Sequence, residues 1–343
     1  MDISIICTNY NKGQWIKAAI EGFLNQKFNG DFEIIIFDDY SSDISKEIIV
    51  EYANKYPDLI KVYLNEENKG ITKTWIDACK IAVGKYIARC DGDDYWIDSF
   101  KLQKQYDLLE KCENSLWCNS DFDIITPEGE LVVESAFKNN HVVTMDSYEK
   151  MLAFKGFTMS STWLVNRMLM LSVNDVLDLE TSDDTFNLQL ELFQRTNLVT
   201  LQDSTTAYRL GYESDSHPTS IDKFIQRHKN LLKTQLEFLS KYTNVNFPKL
   251  SDYLFQEIYS REVIIHQQKL LVKEFNDKYK LLNQTIESLE KQNVILDETK
   301  TKLESTILAI EKELMNVQTQ LDLVINSRRW IWTSKIIEFF RRK

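Results

Sequence analysis

Residues 85–94 read Lys-Tyr-Ile-Ala-Arg-Cys-Asp-Gly-Asp-Asp, a short apolar run followed at once by three acids within four residues. Similar β-rich runs come earlier, at Ile3–Cys7, Glu33–Phe37 and Ile60–Leu64, and an amphipathic stretch follows each of them. Apolar runs of this length, with little polar alternation, are typical of strands buried on both faces of a mainly parallel sheet. Their alternation with amphipathic stretches therefore predicts βαβ units and an α/β fold.

Polar residues follow every one of these four runs. They are Thr8–Asn11, Asp38–Ser42, Asn65–Gly70 and Asp91–Asp94. In open parallel sheets, ligands bind beyond the carboxyl ends of the strands, where these four segments are expected to meet. We call this predicted meeting place the ligand edge.

The acids of the last segment predict a bound metal ion. Asp91, Asp93 and Asp94 would repel one another unless they share a positive charge, and Gly92 lets a ligand approach the backbone closely. Carboxylate oxygens favour Mg²⁺ or Mn²⁺, and such ions often bridge one or two protein carboxylates to the phosphates of a substrate. The alternative is an acidic loop that caps the helix predicted to start near Asp98.

The order and spacing of these segments resemble glycosyltransferase family 2, the inverting enzymes with the GT-A fold. The resemblance covers roughly residues 1–217 and implies a Rossmann-like, mainly parallel sheet. It rests on Cys7–Asn11, Phe37–Asp43, Asn68–Gly70 with Gly84–Ile87, Asp91–Asp94, and Asp183–Asp184 followed by Tyr208–Arg209. It implies transfer of a sugar, with inversion, from a nucleotide-diphosphate donor to a hydroxyl group of a glycan or lipid-linked acceptor.

The resemblance also implies roles for residues of the ligand edge. Thr8 and Tyr10 would hold the nucleobase, and Asp39 would accept a hydrogen bond from its ring N–H. Asp91 would face the ribose, and Asp93 together with Asp91 would hold the metal on the diphosphate, where a Lewis acid stabilises the charge of the leaving group. The alternatives are strand-end packing for Thr8 and Tyr10, and a turn-forming role for Asp39.

An inverting transfer needs a general base, and a carboxylate is the usual choice. The family has this base in an acidic pair that opens a helix, which corresponds here to Asp183–Asp184, ahead of a helical pattern beginning at Phe186. Asp184 is the predicted base, while Asp183 fits a helix cap better. The alternative is that both acids only cap the helix.

The sequence departs from the common family pattern at two positions. Many members have Arg-Asn where this chain has Trp75-Ile76, so the contact with the donor phosphate is either lost or supplied by Lys73. The resemblance also implies that Asn68 and Gly92 contact the nucleotide-sugar donor. Many members have His where this chain has Gly211. His217, six residues further on, would reach the metal or the β-phosphate; the alternative is a solvated loop histidine.

The charge balance and the cysteines limit the class of protein. A formal net charge of −11 argues against a nucleic-acid partner. The five cysteines form no CxxC pair, which predicts a reducing cytoplasm. The sequence has no apolar run of 18 residues, so no membrane span is predicted.

A heptad pattern occupies the C-terminal third of the chain. From Phe275 to Val324, apolar residues recur at alternating spacings of four and three. If Leu282, Leu289, Leu296 and Leu303 are taken as heptad position d, the polar residues Asn293 and Lys300 fall at heptad position a. This predicts a coiled coil and a homodimer, with a trimer less favoured. The alternative is a helix that folds back onto the catalytic domain.

Basic and apolar residues mix after the coiled coil. Residues 328–343 carry six basic side chains against one acid, interleaved with Trp, Ile and Phe. This composition suits an anchor to an anionic membrane surface and predicts a peripheral protein on the inner face of the cell membrane. The alternative is a tail that docks on its own protein.

The predicted organisation has four parts. They are a GT-A domain over 1–217, a helical connector over 218–262, a coiled coil over 263–326 and a membrane-interface tail over 327–343. Two rival functions stay open: a sugar nucleotidyltransferase, which would need a Gly-rich basic loop after the first strand, and a coiled-coil scaffold with a degenerate transferase domain.

Overall fold

The computed structural model describes residues 1–177, 185–211, 220–291 and 297–325. The chain divides into two compact units. The first comprises Met1–Thr219 and Lys233–Leu250, and the second comprises Ser220–Leu232 and Ser251–Lys343.

Nine strands form one sheet within the described residues. They are β1 (Ile3–Asn9), β2 (Phe32–Asp38), β3 (Ile60–Leu64), β4 (Tyr86–Asp91), β5 (Tyr95–Trp96), β6 (Trp117–Ile125), β7 (Leu131–Val133), β8 (Leu164–Asn166) and β9 (Leu198–Arg209). Their order is β3-β2-β1-β4-β8-β6-β9-β5, with β7 paired to β6. Because β5 ends this path yet follows β4 closely in the chain, the sheet curls.

The strand directions agree with the predicted βαβ units. β1 to β4 pair in parallel, whereas β8 is antiparallel to both β4 and β6. The α/β prediction is therefore confirmed, and the sheet is mixed beyond its first four strands.

The helices cover the sheet and continue into the second unit. They are α1 (Ile16–Leu24), α2 (Ser45–Lys55), α3 (Ile71–Ile81), α4 (Lys101–Lys111), α5 (Tyr148–Phe154), α6 (Arg167–Asn174), α7 (Phe186–Arg195), α8 (Ile221–Lys241), α9 (Phe247–Lys291) and α10 (Asp297–Ile325). A 3₁₀ turn, Ser160–Thr162, precedes β8.

Both faces of the parallel part of the sheet are buried, as the apolar runs predict. Alternate residues of β1 point to opposite faces, so Ile5 joins one hydrophobic cluster with Phe23 of α1. Ile6 joins a second cluster, on the other face, with Trp75 of α3. These two layers hold the strands in register and carry their carboxyl ends to one edge.

The segment 233–250 packs onto the helices that flank the sheet. The buried carboxylate of Glu191, on α7, accepts hydrogen bonds from Lys241 Nζ at 2.5 Å and from the Tyr242 hydroxyl at 2.7 Å. Gln235 Nε2 donates to the carbonyl of Leu152 on α5 at 2.6 Å. The compact unit thus extends beyond residue 217, where the sequence predicts the end of the domain.

The second unit is helical throughout its described residues. Along the predicted heptad stripe, Phe275, Leu282 and Leu314 are half-buried and Val317 is buried, while most of the positions between stripe residues are exposed. Asn293 and the tail 327–343 lie outside the described residues, so the coiled coil and the tail stay predictions. No helix in the described part of the chain is long and apolar enough to cross a membrane.

Candidate active site

The parallel register brings the ends of β1, β2 and β4 together at the ligand edge. Thr8 lies beside Asp91, and Asn9 lies beside Asp38. The Thr8 hydroxyl donates to Asp91 Oδ1 at 3.1 Å, and Asn9 Nδ2 donates to Asp38 Oδ1 at 2.7 Å. Asp38 is fully buried and also accepts from the Ser41 N–H, so it fixes the loops after β1 and β2 rather than facing a ligand.

The four residues Asp91 to Asp94 form a tight turn against β1. The N–H of Gly92 donates to the carbonyl of Thr8 at 3.1 Å, and the N–H of Asp94 donates to the carbonyl of Asp91 at 3.1 Å. A Cβ added at Gly92 would lie 2.8 Å from Asn9 Oδ1 and 3.2 Å from Ile16 Cδ1. Glycine is therefore required here because the turn packs directly on β1 and α1.

A buried arginine holds Asp91 from within the sheet. Arg89 is 2% exposed, and its Nε and Nη2 lie 3.2 Å and 3.4 Å from the two carboxylate oxygens of Asp91, whose side chain is 23% exposed. The guanidinium lies 4.8 Å from the ring centroid of Trp75 and 6.0 Å from that of Trp163. Trp75, which by the resemblance stands where many family members have arginine, therefore packs against an arginine supplied by β4.

Asp93 points to the surface and pairs with a lysine. Lys12 Nζ lies 2.6 Å from Asp93 Oδ2, and the two side chains are 29% and 24% exposed. Burial lowers the pKa of Lys12, but attraction to Asp93 and its hydrogen bond outweigh that effect, so the pKa is raised overall. The pair is an ammonium–carboxylate contact already present without ligand.

Asp94 turns to the interior, unlike its two neighbours. Its carboxylate accepts from the Ser161 hydroxyl at 2.6 Å and from the N–H of Arg209 at 3.0 Å. Burial, together with repulsion from Asp93, raises its pKa well above the usual value for aspartate. Asp94 therefore ties the acidic turn to the 3₁₀ turn and to the end of β9.

Arg209 links the acidic turn to the loop after β6. Its Nε donates to the carbonyl of Asp93 at 3.0 Å, and its Nη1 donates to the carbonyl of Pro127 at 2.8 Å. Its guanidinium lies 5.5 Å from the ring centroid of Trp15 and 5.8 Å from that of Tyr95. The backbone of Asp93 is consequently held in place while its carboxylate stays accessible.

Asp39 fixes the loop after β3. Its Oδ1 accepts from Asn65 Nδ2 at 2.7 Å and from the N–H of Lys69 at 2.9 Å, and its Oδ2 accepts from the N–H of Gly70 at 2.9 Å. Gly70 has a φ of +80°, a conformation that favours glycine. Asp39 is 4% exposed and has a structural role, as the turn-forming alternative predicts, although it fixes the loop after β3 and not only its own turn. Its Oδ2 keeps one further lone pair.

Residues 4–167 match the family model of glycosyl transferase family 2. The matched segment runs from β1 through β8 and includes Asp91 and Asp93. The UDP-Glc:alpha-D-GlcNAc-diphosphoundecaprenol beta-1,3-glucosyltransferase of Escherichia coli is 33% identical over 123 residues, which are 36% of this chain and 46% of the relative. The chain spans only 37% of the length of the mycobacterial relatives that it matches.

Two solved structures share the fold. S. aureus TarS in complex with UDP-GlcNAc has a TM-score of 0.55 at 21% identity, over 75% of this chain and 72% of that chain. The mannosyltransferase PcManGT from Pyrobaculum calidifontis, in complex with GDP-Man and Mn²⁺, has a TM-score of 0.57 at 14% identity, over 96% and 87%. The likeness shows a GT-A type fold for this chain.

The carboxylates of the matched segment fit a divalent cation. Asp91 and Asp93 offer oxygen atoms, the ligands that Mg²⁺ and Mn²⁺ prefer, and the Lys12 ammonium beside Asp93 shows that this carboxylate attracts positive charge. Among the described residues, no three His, Cys, Asp or Glu side chains gather as a metal cluster. Two carboxylates suit an ion whose other ligands come from water and substrate phosphates.

The other predicted site residues differ in their surroundings. Thr8 is buried at the end of β1, whereas Tyr10 is 48% exposed and presents its ring at the ligand edge. Asn68 is exposed, and its Oδ1 accepts from the N–H of Gly70 at 3.1 Å. Lys73 is exposed on α3. Asp183, Asp184 and His217 lie outside the described residues, so their predicted roles stay predictions.

Sequence reasoning missed Arg89, Lys12 and the links made by Arg209. Arg89 carries a signal that could have found it, because a charged residue inside an otherwise apolar strand needs a buried partner. Lys12 carries no such signal, since its partner Asp93 is 81 residues away in the chain.

Proposed function

We propose that the protein transfers a sugar from a nucleotide-diphosphate donor to a hydroxyl group of a glycan or lipid-linked acceptor, with inversion. The observation that carries this proposal is the turn Asp91 to Asp94 at the ligand edge, inside the segment that matches glycosyl transferase family 2. Support for the donor class comes from fold neighbours solved with UDP-GlcNAc and GDP-Man. Support for a lipid-linked acceptor comes from the Escherichia coli relative, which acts on a sugar linked to diphosphoundecaprenol. Bacterial surface polysaccharide synthesis is the setting that we propose for the reaction.

On the donor side, each residue at the ligand edge has a task. Tyr10 offers its exposed ring to the nucleobase, and the lone pair on Asp39 Oδ2 accepts from the base. Asp91, fixed by Arg89, faces the ribose, and Asp93 and Asp91 hold Mn²⁺ or Mg²⁺. The bound cation would stabilise the negative charge that develops on the departing nucleoside diphosphate.

On the acceptor side, Asp184 takes the proton of the attacking hydroxyl group. Helix α7 begins at Phe186, two residues after Asp184 in the sequence, and the contacts of Glu191 with Lys241 and Tyr242 fix that helix. The variant Asp184→Asn should abolish transfer while it spares metal-dependent donor binding, and Asp183→Asn serves as the matched control. Unchanged turnover in Asp184→Asn would move the base to another residue.

A ligand screen tests the donor proposal directly. Nucleotide sugars with different bases and sugars are added with Mn²⁺, and the melting temperature of the full chain is measured. Nucleotide sugars with one particular nucleobase should raise the melting temperature of the wild type in a Mn²⁺-dependent manner, and Asp93→Asn should lose that increase. If no nucleotide or nucleotide sugar protects the protein with either Mn²⁺ or Mg²⁺, the proposal is wrong.

The second unit would serve assembly. We infer a parallel homodimer through the heptad stripe and a peripheral attachment of the tail 327–343 to anionic lipid on the inner face of the cell membrane. Half-buried stripe residues in a single chain also suit a stripe that is covered within the chain. Sedimentation distinguishes the alternatives, because a dimer through the stripe should become a monomer when the chain is ended after Leu250. Flotation with anionic vesicles that salt does not weaken would contradict the electrostatic attachment.

A further inference from the structure

Lys12 starts from a fixed point of the backbone. Its N–H donates to the Ser45 hydroxyl at 3.2 Å, and its carbonyl accepts from the N–H groups of Trp15 and Ile16, both at 2.8 Å. These bonds tie the residue to α2 on one side and to the start of α1 on the other. The origin of the side chain is therefore fixed, and only its flexible stem can move.

The Lys12 ammonium already occupies the carboxylate to which the proposed function assigns the metal. It lies 2.6 Å from Asp93 Oδ2 and 5.6 Å from the ring centroid of Trp15. The backbone of Asp93 is itself held by Arg209. Both side chains keep about a quarter of their surface exposed, so the pair can open without unpacking the core.

We propose that Lys12 is a built-in counter-cation of Asp93, which a divalent cation must displace before the donor diphosphate binds. This inference rests on the proposed function. An ammonium and a divalent cation repel each other, so they cannot both approach the same carboxylate oxygen closely. The displaced ammonium stays within one side-chain length of Asp93, beside the negative charge that the diphosphate brings.

This arrangement couples metal binding to donor binding. Lys12 weakens the binding of the metal alone, because the ion has to break the pair with Asp93. It strengthens the binding of metal together with a nucleoside diphosphate, because the released ammonium then meets the phosphates. By linkage, nucleotide raises the affinity for metal as much as metal raises the affinity for nucleotide.

Mn²⁺ titrations of the full chain, with free Mn²⁺ followed by electron paramagnetic resonance, test the proposal. Lys12→Met keeps the apolar stem beside Trp15 and removes the charge. It should bind Mn²⁺ alone about tenfold more tightly than the wild type, a gain of about 1.4 kcal/mol, because the metal ion no longer breaks an ion pair and repulsion from the ammonium is removed. Lys12→Arg, which keeps the charge, and Lys17→Met, an exposed lysine on α1, should both match the wild type.

The same variants are then titrated with UDP and with GDP in the presence of saturating Mn²⁺. Lys12→Met should bind the nucleotide that the wild type prefers about tenfold more weakly, so that its two affinities change in opposite directions. If Lys12→Met binds Mn²⁺ alone no more tightly than the wild type does, the proposal is wrong. The proposed function still stands in that case, provided that the wild type binds nucleotide together with Mn²⁺. Failure of the wild type to bind Mn²⁺ with either nucleotide overturns both.

Discussion

Arg89 tests how the sheet positions Asp91, the acid proposed to face the ribose. Its guanidinium is buried near the rings of Trp75 and Trp163 and contacts both oxygens of Asp91. The variant Arg89→Met keeps most of the stem volume but leaves the Asp91 carboxylate without its buried cation. We expect lower stability and a loss of donor affinity, since nothing of comparable strength then sets the direction of the carboxylate.

The size of the effect follows from the burial of the two partners. Removing one member of a fully buried ion pair costs roughly 3–5 kcal/mol. Asp91 is 23% exposed, so water solvates part of the abandoned carboxylate and the cost falls to about 2–3 kcal/mol. Loss of the cation–π contacts with the two tryptophans adds about 1 kcal/mol. We therefore expect the free energy of unfolding to fall by about 3–4 kcal/mol, and the affinity for the nucleoside diphosphate found in the ligand screen to fall at least tenfold in Mn²⁺.

Urea unfolding followed by tryptophan fluorescence measures the stability, and calorimetric titration of the preferred nucleoside diphosphate with Mn²⁺ measures the affinity. Arg89→Lys keeps the charge but not the contact with both oxygens, so it should lie between Arg89→Met and the wild type. Arg167→Met is the matched control, because Arg167 Nε donates at 3.0 Å to the carbonyl of Gly84, at the opposite end of β4. If Arg89→Met loses stability but binds the nucleotide within twofold of the wild type, Asp91 is not positioned by Arg89.

Three further outcomes are expected. Gly92→Ala should cost about 1–3 kcal/mol of stability and weaken binding of the preferred nucleotide in Mn²⁺, because the new Cβ would lie 2.8 Å from Asn9 Oδ1; unchanged melting would contradict this close approach. A chain ended after Leu250 should keep cooperative melting and nucleotide binding, whereas one ended after Leu232 should lose both, since it removes the partners of buried Glu191. Burial lowers the pKa of Lys101 from 10.5 to about 8, so as the pH rises the folded protein loses this proton before the unfolded protein does. Wild-type stability, measured by urea unfolding, should therefore rise between pH 8 and 10.5 relative to Lys101→Met, by up to about 3 kcal/mol; parallel pH profiles would contradict a buried, titrating lysine.

The ligand edge could be predicted because strand ends are visible in the sequence as a change from apolar to polar residues. Thr8 and Asp91 are 83 positions apart, yet the parallel pairing rule alone brings them together, and the structure joins them by a hydrogen bond. The strands β8 and β9 give a weaker signal in the sequence. β8 has only three residues, and β9 combines apolar with polar side chains over its length, so neither gives a clear period.

The roles of individual acids could not be predicted from the sequence. Asp91, Asp93 and Asp94 are chemically identical and nearly adjacent, but tertiary contacts separate them: Asp94 turns inward to Ser161, while Asp93 turns outward to Lys12. These contacts depend on which side of the turn each Cβ leaves the backbone. Residue type and spacing do not determine that direction.

The cations that face the two ligand-edge acids differ in one property that bears on function. Arg89 is 2% exposed, and its guanidinium lies 4.8 Å and 6.0 Å from the ring centroids of Trp75 and Trp163, so it is expected to stay paired with Asp91. Lys12 is 29% exposed on a flexible stem, so it can leave Asp93. Because a divalent ion competes with whichever cation is easier to displace, exchange is expected at Asp93, while Asp91 keeps a fixed orientation toward the donor. This asymmetry predicts that Arg89→Met and Lys12→Met change the affinity for Mn²⁺ alone differently, with only the lysine variant gaining affinity.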